Sequence, residues 1–212
     1  MKLTAVLGLC GLAVAHMEMT NPPPFRSRSN PFTTDIDYDM TNPLSRDGSN
    51  FPCKGYHNLF DTPQGASVAT WQPGETHTLS LSGSALHGGG SCQASISYDR
   101  GQSFTVVKSW IGNCPLRPDW TFTVPWDAPA GEAIFAWSWY NMMGNRELYM
   151  NCAHVTIGGA NGAPMAGRPG LFVANVGNGC STAEGFDVLF PNAGPDVENT
   201  SGKSAPPAGA CN

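Results

Sequence analysis

From about Ser67 onward, the chain consists of short runs in which polar and apolar residues alternate. The clearest run is THTLSLSG at residues 76–83, followed by QASISYD at 93–99 and SFTVVKSW at 103–110. A period of two sends successive side chains to opposite faces, which is the pattern of a half-buried β-strand. Further β-rich runs are TFTVP, AIFAWSWYN and YMNCAHVTI. Glycine and proline turns separate the runs, and no long stretch has helical periodicity, so we predict an all-β fold arranged as an antiparallel β-sandwich.

Two flanking regions lack this alternation. Residues 16 to about 60 are rich in Pro, Asn, Asp and Ser. Because X-Pro steps disfavour helix, we predict long loops with little regular structure there. Residues 159–212 are rich in Gly, Pro and Asn, and we predict that they form a C-terminal extension to a domain at residues 16–158. Asn199 begins an N-glycosylation sequon, Asn-Thr-Ser, which favours a surface position for this extension.

The N-terminus has the plan of a secretory signal peptide. A positively charged start precedes an apolar stretch at residues 3–11, and residues 13–15 form an A-x-A cleavage site. The apolar stretch is too short to cross a bilayer. We therefore predict that residues 1–15 are removed and that the protein is secreted and extracellular, with no membrane partner. His16 would then be the first residue, with a free α-amine.

Composition narrows the classes of partner. The 212 residues carry a formal net charge of −5, and only 13% of them are charged. A mildly acidic chain with no cluster of Lys and Arg argues against nucleic acid and anionic membranes as partners. The composition is compatible with a neutral substrate such as a polysaccharide. A chain of this length can bury one core of ordinary domain size.

Cysteine content indicates disulfides. The chain has seven cysteines, of which Cys10 would leave with the signal peptide. The remaining even number in an exported chain indicates three disulfides, although sequence alone leaves the pairing open. None of these cysteines has CxxC spacing, so we expect no structural zinc site. The pairing that we expect is Cys92–Cys114 and Cys180–Cys211 as local pairs, with Cys53–Cys152 as a long-range tie.

One of the histidines stands out by its neighbours. His77 and His154 occupy ordinary positions in predicted strands, and His57 lies in a loop, so we expect none of the three to be a metal ligand. His87 ends a strand and opens the segment HGGGSC, whose glycines let the backbone turn sharply and keep bulk away from the ring. This segment would present an imidazole at the surface. The alternative is a flexible glycine turn with an incidental histidine.

His16 and His87 together suggest a metal site. An N-terminal histidine offers two nitrogens, its α-amine and Nδ1, and a second imidazole would supply a third. Nitrogen ligands in one plane suit Cu(II), which prefers tetragonal geometry. The ordinary pKa of an α-amine is about 7.7–8.0, low enough for a metal to displace its proton near neutral pH.

Several motifs together resemble one protein family. They are HMEM with NPPP, DGSNFPCK, HGGGSCQASISYD, GNCP, FAWSWYN and GNRELYMNCAHVTI. This combination resembles the fungal lytic polysaccharide monooxygenases of auxiliary activity family 11, and the resemblance covers residues 16–157. GLFVANVGNGCST is also similar to segments that follow the domain in that family. The resemblance implies an immunoglobulin-like β-sandwich and one copper ion per chain, which cycles between Cu(II) and Cu(I).

The resemblance also implies a ligand set. The α-amine and Nδ1 of His16 and Nε2 of His87 would bind the copper, and Tyr149 would occupy an axial position. Strand periodicity alone allows another reading of Tyr149, as a buried aromatic that shares a face with Asn151 and Ala153.

Other residues acquire roles from the same resemblance. Ala85 matches a small residue that crowds the second axial position. Glu147 matches an acidic residue that would hold an oxygen species or a water, and Arg146 would support it. Leu148 stands where the family frequently has Met, which is a tolerable apolar replacement.

The implied reaction is oxidative cleavage of β-1,4-glycosidic bonds in crystalline or oligomeric chitin, at C1. Hydrogen peroxide or dioxygen would be the co-substrate, an external electron donor would reduce the copper, and the protein would act as a monomer. Two binding functions remain as alternatives: a histidine-bound copper carrier without oxidative activity, and a non-catalytic chitin-binding module. A carrier would not need Tyr149, Glu147 and Arg146 together. A hydrolase is disfavoured because the sequence shows no arrangement of paired carboxylates.

Overall fold

The structure is a computed structural model that describes residues 16–159 and 165–211. The predicted signal peptide, residues 1–15, lies outside the described residues. In the described ranges, no helix has both the length and the apolar character needed to cross a membrane. Two short 3₁₀ helices are present, Cys53–Leu59 and Pro63–Gly65. The described strands are β1 (Met17–Asn21), β2 (Thr70–Trp71), β3 (Thr76–Gly83), β4 (Gly90–Ser97), β5 (Thr105–Ile111), β6 (Asp119–Thr123), β7 (Gly131–Asn141), β8 (Tyr149–Ile157), β9 (Cys180–Ser181), β10 (Asp187–Val188), β11 (Val197–Asn199), β12 (Ser204–Ala205) and β13 (Ala208–Gly209).

Two sheets form the predicted β-sandwich. The smaller sheet has the order β1-β3-β6, and both of its pairings are antiparallel. The larger sheet has the order β11-β5-β4-β7-β8-β2. Its four central strands are antiparallel, as predicted, whereas the two edge strands β2 and β11 run parallel to their neighbours. The prediction of an all-β sandwich is therefore confirmed.

Strand β7 is buried on both faces. Phe135, Trp137 and Trp139 belong to the core between the two sheets, and the alternating residues Ile134 and Ala136 belong to a second hydrophobic cluster. Burial on both faces explains why AIFAWSWYN is almost continuously apolar instead of alternating. Each large apolar side chain buried in this way stabilises the fold by about 1.5–3 kcal/mol.

The second cluster lies between the outer face of the large sheet and two loop-rich regions. The N-terminal loops contribute Phe25 and Leu44, and the C-terminal extension contributes Phe172 and Phe190. Polar side chains of the sheet also bind the backbone of the extension: the Ser91 hydroxyl donates to the Val188 carbonyl at 2.8 Å, and Gln93 Oε1 accepts from the Phe172 N–H at 3.0 Å. The extension thus shares a hydrophobic cluster with the domain at residues 16–158.

The structure contains the three expected disulfides. Cys53–Cys152 joins the N-terminal loops to β8, and Cys92–Cys114 joins β4 to the segment after β5. Cys180–Cys211 closes the C-terminal extension. Crosslinks of this kind typically stabilise a fold by about 2–4 kcal/mol.

Residues 16 to about 60 contain little regular structure, as predicted, apart from β1 at the start of the region and the first 3₁₀ helix. Met17–Asn21 form β1, which pairs with β3. The side chains of Met17 and Met19 are buried in the core between the sheets. A four-residue alternation followed by prolines is too short to indicate a strand, and the distant partner strand β3 provides the missing hydrogen bonds.

Candidate metal centre

Strand pairing places His16 beside the end of β3. Met17 lies opposite Gly83, and the Ser84 N–H donates to the His16 carbonyl at 3.3 Å. A Cβ on Gly83 would lie 2.1 Å from that oxygen, so only glycine allows this close approach. Since His87 follows Gly83 by one short turn, the two histidines that are distant in the sequence become neighbours.

The turn that carries His87 is bound to the loop between β7 and β8, which we call the site loop (residues 142–148). The Met143 N–H donates to the His87 carbonyl and the Met142 N–H donates to the Gly89 carbonyl, both at 2.9 Å. His87 has a φ of 45°, a left-handed conformation that is uncommon outside glycine. The two backbone hydrogen bonds hold the turn in this conformation. They thereby fix the position of the backbone from which the His87 imidazole projects.

The two imidazoles face one another with room between them. Their ring centroids are 6.5 Å apart and the ring planes cross at 73°. Nδ1 of His16 is buried and makes no hydrogen bond within the described residues. Burial lowers the pKa of His16, and the nearby Glu147 opposes this effect. Nδ1 of His16 is therefore available to bind a metal beside His87.

Tyr149 lies beside both histidines at the first position of β8. Its side chain is buried, its hydroxyl is 3.4 Å from Nε2 of His87, and its ring centroid is 6.0 Å from that of His16. The ring packs on Trp139 at a centroid distance of 4.4 Å. The hydroxyl donates to Oε2 of Glu147 at 2.8 Å. Burial and this carboxylate raise the pKa of Tyr149, so the phenol keeps its proton.

The other predicted site residues lie around this cluster. Glu147 contacts it through Tyr149. Arg146 instead binds backbone carbonyls, with hydrogen bonds to Asn141 and Gly144 at 2.8 Å each. Its guanidinium holds the site loop together, and the described part of the chain shows no ion pair between it and Glu147. Ala85 is half-buried in the turn that leads to His87.

The remaining histidines lie in the surroundings expected of ordinary residues. His154 stacks on Phe60 at 4.0 Å between ring centroids, and His77 stacks on Trp71 at 4.8 Å. His57 lies in the first 3₁₀ helix. None of the three is near the His16–His87 pair in the contacts that the structure gives.

Comparison with known proteins identifies the family. A scan against family models found no match. The chain is, however, 54% identical over 192 residues to AA11 family lytic polysaccharide monooxygenase A of Aspergillus fumigatus, and the alignment covers 87% of this chain and 86% of that protein. The chain belongs to the AA11 family of lytic polysaccharide monooxygenases. The resemblance expected from the sequence motifs is thus confirmed.

Further comparisons agree with AA11 membership. AA11 family lytic polysaccharide monooxygenase B of Aspergillus fumigatus is 38% identical, over 92% of this chain and 52% of that protein. The chain therefore spans about half the length of this second relative. The crystal structure of HiLPMO9B matches with a TM-score of 0.50 at 17% identity, over 73% of this chain and 82% of that one. This last similarity concerns the fold alone and agrees with an immunoglobulin-like β-sandwich.

Lytic polysaccharide monooxygenases are copper-dependent oxidoreductases, and the donor groups of this AA11 site fit copper. Within the described residues, no group of three or more His, Cys, Asp or Glu side chains could hold a metal. A metal at the His16–His87 pair would therefore need a further donor, and the α-amine of His16 would become one after cleavage. Imidazole and amine nitrogens suit Cu(II).

Sequence reasoning missed two asparagines that position this AA11 site. Asn151 Oδ1 accepts from the Met19 N–H at 2.8 Å and so ties β1, which begins directly after His16, to β8, which begins at Tyr149. Asn141 Oδ1 accepts from the Glu147 N–H at 3.3 Å. The available signal was a polar residue inside an otherwise apolar strand, because such a residue needs a hydrogen-bond partner when it is buried.

Proposed function

We propose that the protein is a secreted copper-dependent monooxygenase that cleaves the β-1,4-glycosidic bonds of chitin with oxidation at C1. The α-amine and Nδ1 of His16 and Nε2 of His87 would hold the copper, and the Tyr149 hydroxyl lies 3.4 Å from Nε2 of His87. The observation that carries this proposal is the buried, unpartnered Nδ1 of His16 opposite His87. The free amine requires cleavage after residue 15, which links the site to secretion.

Copper held by these residues would supply the redox chemistry for hydroxylation of a C–H bond next to the glycosidic oxygen, with an external electron donor and with hydrogen peroxide or dioxygen as co-substrate. With peroxide, one oxygen atom enters the sugar and the other leaves as water. The hydroxylated C1 then expels the glycosidic oxygen, which leaves as the C4 hydroxyl of the neighbouring sugar, and the lactone that remains takes up water to give an aldonic acid end.

The protein's own residues orient the site and handle protons. Tyr149 packs on Trp139, so the buried side of the site is closed to water. The Glu147 carboxylate accepts a hydrogen bond from the Tyr149 hydroxyl. This bond fixes the carboxylate beside the phenol that neighbours His87. This carboxylate is the group that would give or take a proton during turnover.

Exposed apolar side chains around His87 suit an uncharged sugar surface. Leu86, Met143 and Leu116 are 37%, 48% and 45% exposed. Two of them flank the glycine turn: a Cβ on Gly88 would lie 3.0 Å from Cγ of Met143, and a Cβ on Gly89 would lie 3.4 Å from Cγ of Leu116. Such side chains can pack on the C–H faces of pyranose rings, as chitin presents them.

The test is analysis of soluble products by mass spectrometry. Protein that begins at His16, loaded with one equivalent of copper, is incubated with ascorbate and either chitin or cellulose. We expect copper-dependent chitin oligosaccharides with one added oxygen, whose fragmentation places the oxidation at C1. The His87→Ala variant and a chelator-treated sample should give none. Oxidised products from cellulose alone would refute the substrate, C4 oxidation would refute the position, and no oxidised product from copper-loaded protein would favour the copper carrier.

A further inference from the structure

The C-terminal extension also contacts the site loop. The Gly185 N–H donates to the Met142 carbonyl at 2.8 Å. Glu184 Oε1 accepts from the Gly144 N–H at 3.2 Å. The site loop is therefore held between the turn that carries His87 and the extension.

Asn175 contacts the backbone of Glu147, the residue whose carboxylate binds Tyr149. Its Nδ2 donates to the carbonyl of Glu147 at 3.1 Å. Within the extension, Oδ1 of the same side chain accepts from the Thr182 N–H at 3.0 Å. Its own N–H donates to the Cys180 carbonyl at 2.9 Å, next to the Cys180–Cys211 disulfide. Asn175 thus connects the turn that contains the Cys180–Cys211 disulfide to the backbone of Glu147.

The backbone of Glu147 depends on side chains because it lies outside the strands. Its N–H donates to Asn141 Oδ1, and its carbonyl accepts from Asn175 Nδ2. A backbone group in a partly buried loop needs such partners to keep one conformation. The Glu147 side chain in turn binds Tyr149, whose hydroxyl is 3.4 Å from His87 Nε2.

We infer that Asn175 is a positioning residue for the metal centre: the C-terminal extension is part of the catalytic unit because Asn175 holds Glu147 in register with Tyr149. Asn175 does not touch the reacting atoms. It acts through Glu147, and the inference rests on the proposed copper function.

Three variants test this role in the full mature chain. Asn175→Asp keeps the acceptor for the Thr182 N–H but replaces Nδ2, which donates to the Glu147 carbonyl and to Thr182 Oγ1, with a carboxylate oxygen. Asn175→Gly removes the side chain without adding charge, and glycine accepts the native φ of 65°. The matched control is Asn178→Asp, which makes the same chemical change in the same turn. Asn178 donates to the Val173 carbonyl at 2.8 Å and not to the site loop.

The readouts are the electron paramagnetic resonance spectrum of the Cu(II) form and the initial rate of peroxide-dependent product release. We expect both Asn175 variants to show shifted copper hyperfine values and a rate lower by about tenfold or more, since small misplacements of reactive groups are costly. Asn178→Asp should match the unaltered protein in both. Unchanged spectra and rates in the Asn175 variants, an equal effect of Asn178→Asp, or an effect of Asn175→Asp that Asn175→Gly does not share would each overturn the inference. Failure of the unaltered protein to bind copper would instead refute the proposed function.

Discussion

The hydroxyl of Tyr149 donates a 2.8 Å hydrogen bond to Oε2 of Glu147, two residues earlier in the chain. Side chains two residues apart lie on the same face of extended backbone, so Glu147 at the end of the site loop can contact Tyr149 at the start of β8. It joins a carboxylate to the phenol that lies beside His87. An acid and a phenol are thereby fixed on the buried side of a pair of histidines.

Tyr149→Phe should change the metal site more than it changes the fold. The ring would keep its packing on Trp139, and only the hydroxyl contacts would be lost. We expect altered Cu(II) spectra and slower product release, with a loss of unfolding free energy of about 0.5–1.5 kcal/mol. The matched control is Tyr98→Phe, which removes a hydroxyl bonded to the Pro129 carbonyl at 2.8 Å, outside the site. Identical Cu(II) spectra for Tyr149→Phe and Tyr98→Phe would show that the Tyr149 hydroxyl is not near the metal.

Glu147→Gln should separate proton handling from metal binding. The amide oxygen can still accept from Tyr149, but the side chain no longer carries charge or takes up a proton. We expect the product rate to fall by about 100-fold, the usual range for loss of a general acid or base, with less than about a tenfold change in copper affinity. Glu75→Gln, which alters a carboxylate that accepts from the Gln72 N–H at 2.8 Å outside the site, serves as the control and should keep both values. A full rate in Glu147→Gln would rule out the proposed role of the carboxylate.

Alkaline pH should destabilise the fold through tyrosines that are partly or fully buried. Burial raises the pKa of Tyr56 and Tyr98 to about 12 and also raises that of Tyr140. Tyrosines of the unfolded chain ionise near pH 10, so these groups stabilise the fold below about pH 10 and that contribution is lost as the pH rises toward 12. Urea unfolding at pH 9 and pH 11 should show a lower free energy of unfolding at pH 11. The decline should be smaller in Tyr98→Phe, and a free energy that is constant or rises with pH would contradict the assignment.

Asn199 should carry an N-linked glycan in a glycosylating host. The residue is exposed at the end of β11, and its Oδ1 accepts from the Ser201 N–H at 3.1 Å. Intact mass should exceed the sequence mass and fall after enzymatic removal of N-glycans. Asn199→Gln and, independently, Ser201→Ala should abolish the difference because each destroys the sequon. A secreted product at its bare sequence mass would exclude the modification.

Local pattern was sufficient for strands with one polar face. THTLSLSG was predicted as a strand and forms β3. One face of β3 is exposed to solvent, so polar and apolar residues alternate in its sequence. For β7 the pattern shows burial but not its cause, since Ile134 and Ala136 are covered by segments that lie far away in the chain. β1 could not be predicted from its own sequence for a similar reason, because its hydrogen bonds come from the distant strand β3.

The metal centre depended even more on distant contacts. Glycines around His87 pointed to a presented imidazole, but the neighbouring position of His16 follows from the pairing of Met17 with Gly83. The resemblance to AA11 proteins supplied that connection in advance. It did not predict the contact of Asn175 with Glu147, because a side-chain amide and a carbonyl 28 residues apart leave no periodic signal.

The most direct test of the account is a Cu(II) titration of two proteins, one that begins at His16 and one that keeps Ala15 in front of it. The extra residue converts the α-amine of His16 into a peptide nitrogen and removes one of the three proposed nitrogen ligands, while the fold is unaffected. We predict that the protein with a free His16 amine binds one copper ion at least about 100-fold more tightly. Equal affinity of the two proteins would contradict a copper site built on the N-terminal histidine.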